Sequence, residues 1–526
     1  MAAAWVVASP AGAGPDDGYH ITSILCPTPI GQHCQIDGYV DNDPTEPMVK
    51  VSAQIPQLAC YAWHSDISAA CLNDVPAGDT ADVSSLDNGN YPGPYYDIMH
   101  LFASSAPAGM DRTVLTVRAL NAAIAALFFG AVAWLLPWSM RRLLVYVLLG
   151  FGLPLVAYFL TSINPSAWAI TGVIVTWFAL TGLFATEGRA DCPAWRRRTL
   201  AGLALAATAL AAAARTDGAT YCFVAVLAVG AAHLPALKPR QWRSHRLAWA
   251  AMLVVAVIGV AGSFTGRQAK GLLGLGDTGR GGFHLLAYNL VNLPDLLMGF
   301  WTWNLGWYDV PMLPITTMSA LAVGVGLLVL GLRRMNWTKT IAAAGVAFLL
   351  LAVPLFTLQM AGNIVRENVQ PRYLAPLILL LAAVLLSRPR GHGAPRLSGA
   401  QTWVTYVFLV AAHTLGLHQL IQRYVSGLSQ PALNLNAGVQ WWRPGLPSPM
   451  VVWALGSLGF AALALLLFVV KRPTRPRPAG LDDRASADIG GEPTSPGDVA
   501  AADPRPPTIG GDQASQADMA ASPPLG

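Results

Sequence analysis

The sequence predicts an all-α polytopic membrane protein, on three observations. Hydrophobic residues make up 54% of the 526 residues and charged residues 12%, with mean hydropathy +0.46. A soluble domain carries roughly 25% charged residues. The apolar residues fall in blocks of about 16 to 22, the length that crosses a bilayer as a helix. Basic residues gather in alternate short loops, the pattern of cytoplasmic loops. Together these exclude a water-soluble enzyme, a chain disordered in bulk, and a β-barrel, whose strands alternate over short segments.

Eleven spans are expected: 114–137, 143–161, 168–186, 199–214, 219–235, 247–264, 314–332, 340–359, 373–387, 402–420 and 449–470. The net charge of +5 is unevenly placed: residues 1–111 hold 13 acids and one base (−12), 112–470 hold 7 acids and 26 bases (+19), and 471–526 hold 8 acids and 6 bases (−2). The basic excess belongs to membrane loops and is not a nucleic-acid signal. Arg141-Arg142, Arg189 with Arg196 to Arg198, Lys238 to Arg246, Arg333/Arg334/Lys339, Arg388/Arg390/Arg396 and Lys471 to Arg477 mark one side as cytoplasmic. The loops between them, including 265–313, then lie outside, as does the region 1–111. An outside N-terminus needs an export device, and Ala2 to Ala8 is too short for one. An earlier helix is therefore expected to be missing, and with it the spans would number twelve. Arg outnumbers Lys 28 to 5 among many Ala and Gly, which fits a GC-rich bacterial genome and a plasma-membrane location.

Three regions follow: an extracytoplasmic first loop 1–111, a transmembrane bundle 112–470, and a Pro/Gly/Ala/Ser-rich tail 471–526 expected to be disordered and cytoplasmic. The first loop holds Cys26, Cys34, Cys60 and Cys71, an even number that suggests two disulfides. Three connectivities are open, with the local pairs the simplest.

Polar residues that could do chemistry collect on the outer side. Asp16 and Asp17 are adjacent, so they would not share a helix face and would do separate jobs. One could accept a proton while the other orients it or, with His20, holds a metal. An ordinary helix N-cap is the alternative. Arg215 and Asp217 interrupt two very apolar spans, which needs either a cavity or a turn salt bridge. Loop 265–313 carries Arg267, Lys270, Asp277 and Arg280, then Trp301, Trp303, Trp307, Tyr308 and Asp309. Those aromatics suit an interfacial belt or a sugar-stacking platform. With Arg366, Arg372, Arg423 and Arg443, eight outer bases stand against the usual bias. Arginine forks bind phosphate oxygens, so a cationic pocket for a lipid-linked phosphate is expected. Single headgroup anchors are the alternative.

Five segments in order, Pro15-Asp16-Asp17-Gly18-Tyr19-His20, Ser162-Ile163-Asn164-Pro165-Ser166, Arg215-Thr216-Asp217, Leu305-Gly306-Trp307-Tyr308-Asp309 and Gln370-Pro371-Arg372-Tyr373-Leu374-Ala375-Pro376, resemble an uncharacterised bacterial family, domain of unknown function 2142. More broadly the chain resembles membrane glycosyltransferases of the GT-C fold. The resemblance covers about residues 9–470. It implies a GT-C-like bundle, a polyprenyl-phosphate-sugar donor, and a glycan, lipid or protein acceptor in the cell envelope. It makes Asp16 or Asp17 the base, Asp16 first. It implies Arg215 and Arg372 at the leaving phosphate and His20, Asn164, Asp217, Trp307, Asp309, Gln370 and Tyr373 at the substrate. A divalent metal (Mg or Mn) is possible, and the first loop with Tyr91, Tyr95 and Tyr96 would cover the site. A transporter or flippase of lipid-linked glycans, or a non-catalytic envelope assembly protein, are the other classes.

Overall fold

The computed structural model describes residues 1–469 apart from 75–78, 105–108, 188, 190, 267–280, 368 and 389–392. The tail expectation and those for Arg267, Lys270, Asp277 and Arg280 lie outside these residues. The described chain belongs to one compact unit, Met1–Val470.

Among the described residues, seven helices are long and apolar enough to cross a membrane: Met110–Leu135, Ser166–Thr186, Arg243–Gly262, Pro314–Leu332, Trp337–Met360, Gly399–Val425 and Pro449–Val469. Thr216–Ala232 and Pro371–Leu386 are shorter apolar helices. Every expected block meets a helix, but two expectations need correction. Block 143–161 is not one rod: Trp138–Phe151 and Leu155–Leu160 are separate, because Pro154 lacks an N–H and cannot continue the first helix. Segment 265–313 is not all loop: Gly282–Thr302 is a 21-residue helix. Its Asn289, Asn292 and Asp295 break the apolar run. The helical period survives in the buried set Leu285, Asn289, Leu293, Leu296 and Phe300.

Ser166–Thr186 is the central helix, 94% buried over its apolar window. It lies against Met110–Leu135, Ala194–Ala214, Thr216–Ala232 and Pro371–Leu386. Small residues make that possible. A Cβ at Gly172 would overlap the Ala207 carbonyl and come within 2.7 Å of the Ala211 Cβ, the close approach expected of helices that gain little from excluding water.

The region before Met110 is not purely helical, contrary to the all-α expectation. It holds a three-stranded antiparallel sheet, β1 (Ile36–Tyr39), β2 (Pro47–Ser52) and β3 (Thr80–Val83), in the order β1-β2-β3. β2 alternates buried and half-buried residues, and Val49 pairs with Ile36 on one side and Val83 on the other. Disulfides Cys26–Cys34 and Cys60–Cys71 join the local pairs. Val49, Val51, Ile21, Ile24 and Tyr95 share one apolar core with Val114, Val117 and Trp168 of the helical bundle. The sheet region is therefore packed onto the bundle, and this shared core fixes the height of the acidic pair.

Candidate functional site

The acidic pair sits at the end of a buried strip of chain. Residues after helix Ala2–Val7 run non-helically through the bundle to Pro15, and Ala8 to Pro15 are all buried. Buried backbone carbonyls need donors, and here side chains supply them. Arg443 donates to Val7 O (2.8 Å) and Ser9 O (2.9 Å), and Arg118 to Ser9 O (2.6 Å) and Pro10 O (2.8 Å). Tyr61 donates to Ala11 O (2.8 Å), Trp307 Nε1 to Gly12 O (2.7 Å) and Tyr158 to Ala13 O (3.0 Å). Gly12 has φ +77°, and a Cβ there would collide with the Leu58 carbonyl; only glycine fits.

The two aspartates then separate. Asp17 opens helix Asp17–Leu25 and is 0% exposed. Its Oδ2 accepts from Gly14 N (2.9 Å) and from the buried Arg118 (3.3 Å). Burial lifts its carboxyl to about 6 against the pull of Arg118. A value near neutrality often marks a catalytic acid or base, but this carboxylate is fully buried. Its geometry is that of an anchor. Asp16 is the opposite case. It occupies the N-cap position with φ 66°, a left-handed conformation uncommon for a non-glycine residue. Its side chain remains 48% exposed, and Arg372 Nη2 donates to it at 2.6 Å. Burial of its surroundings opposes ionisation, but Arg372, with Arg215, outweighs it and holds the carboxyl below its usual range.

Arg372 opens helix Pro371–Leu386 and is 3% exposed. Its guanidinium lies over Phe159 (5.2 Å) and Tyr373 (5.0 Å). Nη2 serves Asp16 and Tyr373 Oη (3.1 Å), while Nε and Nη1 are buried with no hydrogen-bond partner among the described residues. Arg215 lies over the same Tyr373 ring at 5.0 Å and over Tyr91 at 5.6 Å. Both guanidiniums are thus attracted to one ring face or edge region. Asp217 holds Arg215 by two hydrogen bonds of 2.8 Å. The turn salt bridge expected at this motif is present, and it points Arg215 at the site.

His20 lies beneath, fully buried, with Nδ1 2.9 Å from Tyr96 Oη and Nε2 3.2 Å from Asn164 Nδ2. Burial drives its pKa down to about 3, with Arg372 and Arg215 adding to the effect and Asp16 opposing it. Asn164 is itself held because its Oδ1 accepts from Ser166 N (2.9 Å) at the start of the central helix. The pair considered for a metal, Asp17 and His20, does not fit one. Asp17 faces a guanidinium and both His20 nitrogens are engaged. Among the described residues no cluster of three or more His, Cys, Asp or Glu could hold an ion.

Two motif residues do not reach the site through their polar groups. Asp309 forms a buried pair with Arg423 (2.5 Å) and accepts from Trp307 N (3.1 Å), closing the Leu305–Val310 bridge. Trp307 spends its N–H on Gly12 and leans on Trp63, ring centroids 5.4 Å apart. What this turn delivers is Tyr308, which lines a narrow cleft with Pro15, Phe159, Trp303, Gln370 and Arg372. The cleft measures about 20 Å³, room for about one water.

Of the eight outer bases, Arg267, Lys270 and Arg280 lie outside the described residues, and three of the other five are spent elsewhere. Arg423 and Arg443 are consumed by Asp309 and Asp111, and Arg366 by Asp295 at 2.7 Å. Arg215 and Arg372 remain at the site. Sequence reading missed Arg118, Tyr61, Tyr158 and Asp87. Asp87 accepts from Tyr19 (2.8 Å) and from Tyr91 N (2.9 Å), and so sets the Tyr91 ring against Arg215. A signal existed for Arg118: an arginine inside an apolar span, with Asn121 one turn on, marks a polar stripe facing protein. For Asp87 it was the turn composition Asp87-Asn88-Gly89-Asn90.

Among the described residues, seven span-length apolar helices, one of them buried at the centre of the bundle, define a polytopic membrane protein. The chain belongs to the family described as predicted membrane protein (DUF2142), whose model matches residues 1–381. The match takes in all five motifs. No curated protein and no solved structure matches the chain.

Proposed function

We propose that the protein is a GT-C-type membrane glycosyltransferase. It would move a sugar from a polyprenyl-phosphate donor to an extracytoplasmic envelope acceptor, with inversion at the sugar. The observation that supports this most is the Asp16–Arg372 contact: a half-exposed carboxylate 2.6 Å from a buried guanidinium that has two unused N–H-bearing nitrogens.

The acceptor hydroxyl oxygen attacks the anomeric carbon while the bond from that carbon to the phosphate oxygen breaks. The hydroxyl proton passes to Asp16, and polyprenyl phosphate leaves as an anion. Arg372 Nε and Nη1 take its oxygens, with Arg215 across the Tyr373 ring adding positive field. Such aimed charge is usually the largest single contribution to a rate. Asp16 is ionised at neutral pH because Arg372 holds it. As the departing phosphate draws Arg372 towards itself, that hold loosens and Asp16 becomes a stronger base when the proton must move. The cleft is too small for a sugar, so donor binding must widen it between Tyr308 and Phe159. Reading the basic loops as cytoplasmic supports an outer position for this end of the bundle.

The test is release of polyprenyl phosphate from a labelled lipid-linked sugar by purified, reconstituted protein. Asp16→Asn should lower turnover by roughly 10² to 10⁴, the usual loss of a general base. Wild-type turnover by Asp16→Asn would refute the assignment.

A further inference from the structure

A second cavity, with neither aspartate of the acidic pair in its lining, opens elsewhere in the bundle. It measures about 500 Å³ and is lined by Arg333, Arg334, Lys339, Arg388 and Arg396, together with Ser387. The volume is in the ordinary range for a ligand pocket, about 300 to 1,000 Å³. Helix Pro371–Leu386 has Arg372 near its start and runs into Ser387 and Arg388 at its end. About 16 residues at 1.5 Å each set the two cation groups roughly 24 Å apart.

The fold builds this basin. Gly331 lets helix Pro314–Leu332 close on its neighbour, since a Cβ there would come within 2.7 Å of Leu385 O. Lys339, 4% exposed, donates to Gly331 O (2.9 Å) and Arg334 O (3.2 Å) and pins the turn. That leaves Arg333, Arg334, Arg388 and Arg396 around the opening. None has a side-chain hydrogen bond or ion pair with a carboxylate among the described residues. The Arg388 Nε is buried and has no hydrogen-bond partner among the described residues. Burial, then Arg334, Arg396 and Arg142, hold the Arg388 guanidinium below its ordinary range.

Nothing in the nearby sequence neutralises the cluster. No acid occurs between Asp111 and Glu187, between Asp309 and Glu367, or between Glu367 and Asp482, the stretches that supply these bases and Arg142. A general preference for basic loops on one membrane face explains bases scattered along a surface. It does not explain their convergence, without acids, on one cavity.

We infer that this basin binds a phosphate- or diphosphate-bearing ligand, either an anionic lipid headgroup or a soluble phosphate ester. Guanidinium forks suit phosphate oxygens in pairs, and opposed like charges gain most when an anion enters between them. The site is independent of the proposed transferase chemistry.

The test uses full-length protein in two arms. In nanodiscs of phosphatidylcholine doped with phosphatidylglycerol, native mass spectrometry reads retained anionic lipid. In neutral detergent at about 0.1 M salt, where screening leaves close pairs intact, calorimetry reads inorganic pyrophosphate. The variants are Arg334→Gln/Arg388→Gln and, as a charge-matched control outside the basin, Arg198→Gln/Lys238→Gln. The expected result is saturable binding in at least one arm, weakened roughly ten-fold or more by the basin variant and unchanged in the control. Retention of lipid alone identifies a headgroup site, and pyrophosphate binding identifies a soluble ester. Absence of saturable binding in both arms, or equal loss in the basin and control variants, overturns the inference.

Discussion

His20 gives the sharpest physical prediction. It is 0% exposed and stays neutral in the fold, with its pKa driven to about 3 chiefly by burial. In the unfolded chain its value is 6.5. A depressed value contributes stability that is present above pH 6.5 and is lost as pH falls towards 3, because the unfolded state then binds the extra proton. Between pH 6.5 and about pH 5 this is 1.5 units at about 1.36 kcal/mol each, or about 2 kcal/mol. The perturbation is His20→Gln, which cannot titrate and can still pair with Tyr96 or Asn164. At about pH 7.5 it should cost about 1 to 3 kcal/mol for imperfect hydrogen bonding in a buried site. At about pH 5 the gap to wild type should shrink by about 2 kcal/mol. Equilibrium unfolding in mixed micelles at the two pH values reads the difference, and other titrating groups cancel between the two proteins. A gap independent of pH would refute the reasoning, as would a His20 resonance in the folded protein titrating near 6.5.

Two further predictions concern the scaffold. Arg118→Met should destabilise by about 3 to 5 kcal/mol, since it leaves Asp17 buried without its cation and Pro10 O without a donor; adding Asp17→Asn should recover part of that loss, and simple additivity in the unfolding data would contradict the pairing. Cys60→Ser/Cys71→Ser opens an 11-residue closure and should cost about 2 to 4 kcal/mol. Non-reducing peptide mapping of the unaltered protein should show the Cys60–Cys71 crosslink, and four free thiols before Met110 would contradict it.

Much of the architecture is legible in composition alone, because an apolar helix must satisfy its own backbone and announces itself by length. Eleven blocks were readable on that basis, and each meets a helix. The failures are local and have physical causes. Pro154 sits inside a block whose hydropathy is unbroken, so a window average runs across the break. Helix Gly282–Thr302 hides because its buried face includes Asn289, which donates to Asn363 O and accepts from Val365 N. A polar residue fully paired inside a fold looks, in sequence, like one in water. The small sheet has strands of four to six residues, too short for periodicity to register.

The site divides along a different line. Arg215 and Asp217 could be nominated from sequence because they interrupt apolar spans, and Asp16, His20, Asn164, Arg372 and Tyr373 because they fall in the five polar motifs. Rank among them could not. An arginine fork satisfies a carbonyl, a carboxylate or a phosphate with the same N–H groups, so eight outer bases read alike. The fold spends them differently. Arg443 and Arg423 are used up on backbone carbonyls and on Asp111 and Asp309, and Arg118, unnoticed in sequence, does the same for the strip that carries Asp16. Arg372 differs from these, because its Nε and Nη1 remain buried and unpaired among the described residues, beside the exposed Asp16. A buried donor left unpaired costs about 1 to 3 kcal/mol, more when charged. Here two aromatic rings, Phe159 and Tyr373, and a shared acid hold it in place. An incoming anion would relieve that cost, which makes the orphaned face of Arg372 the place where a phosphate gains most.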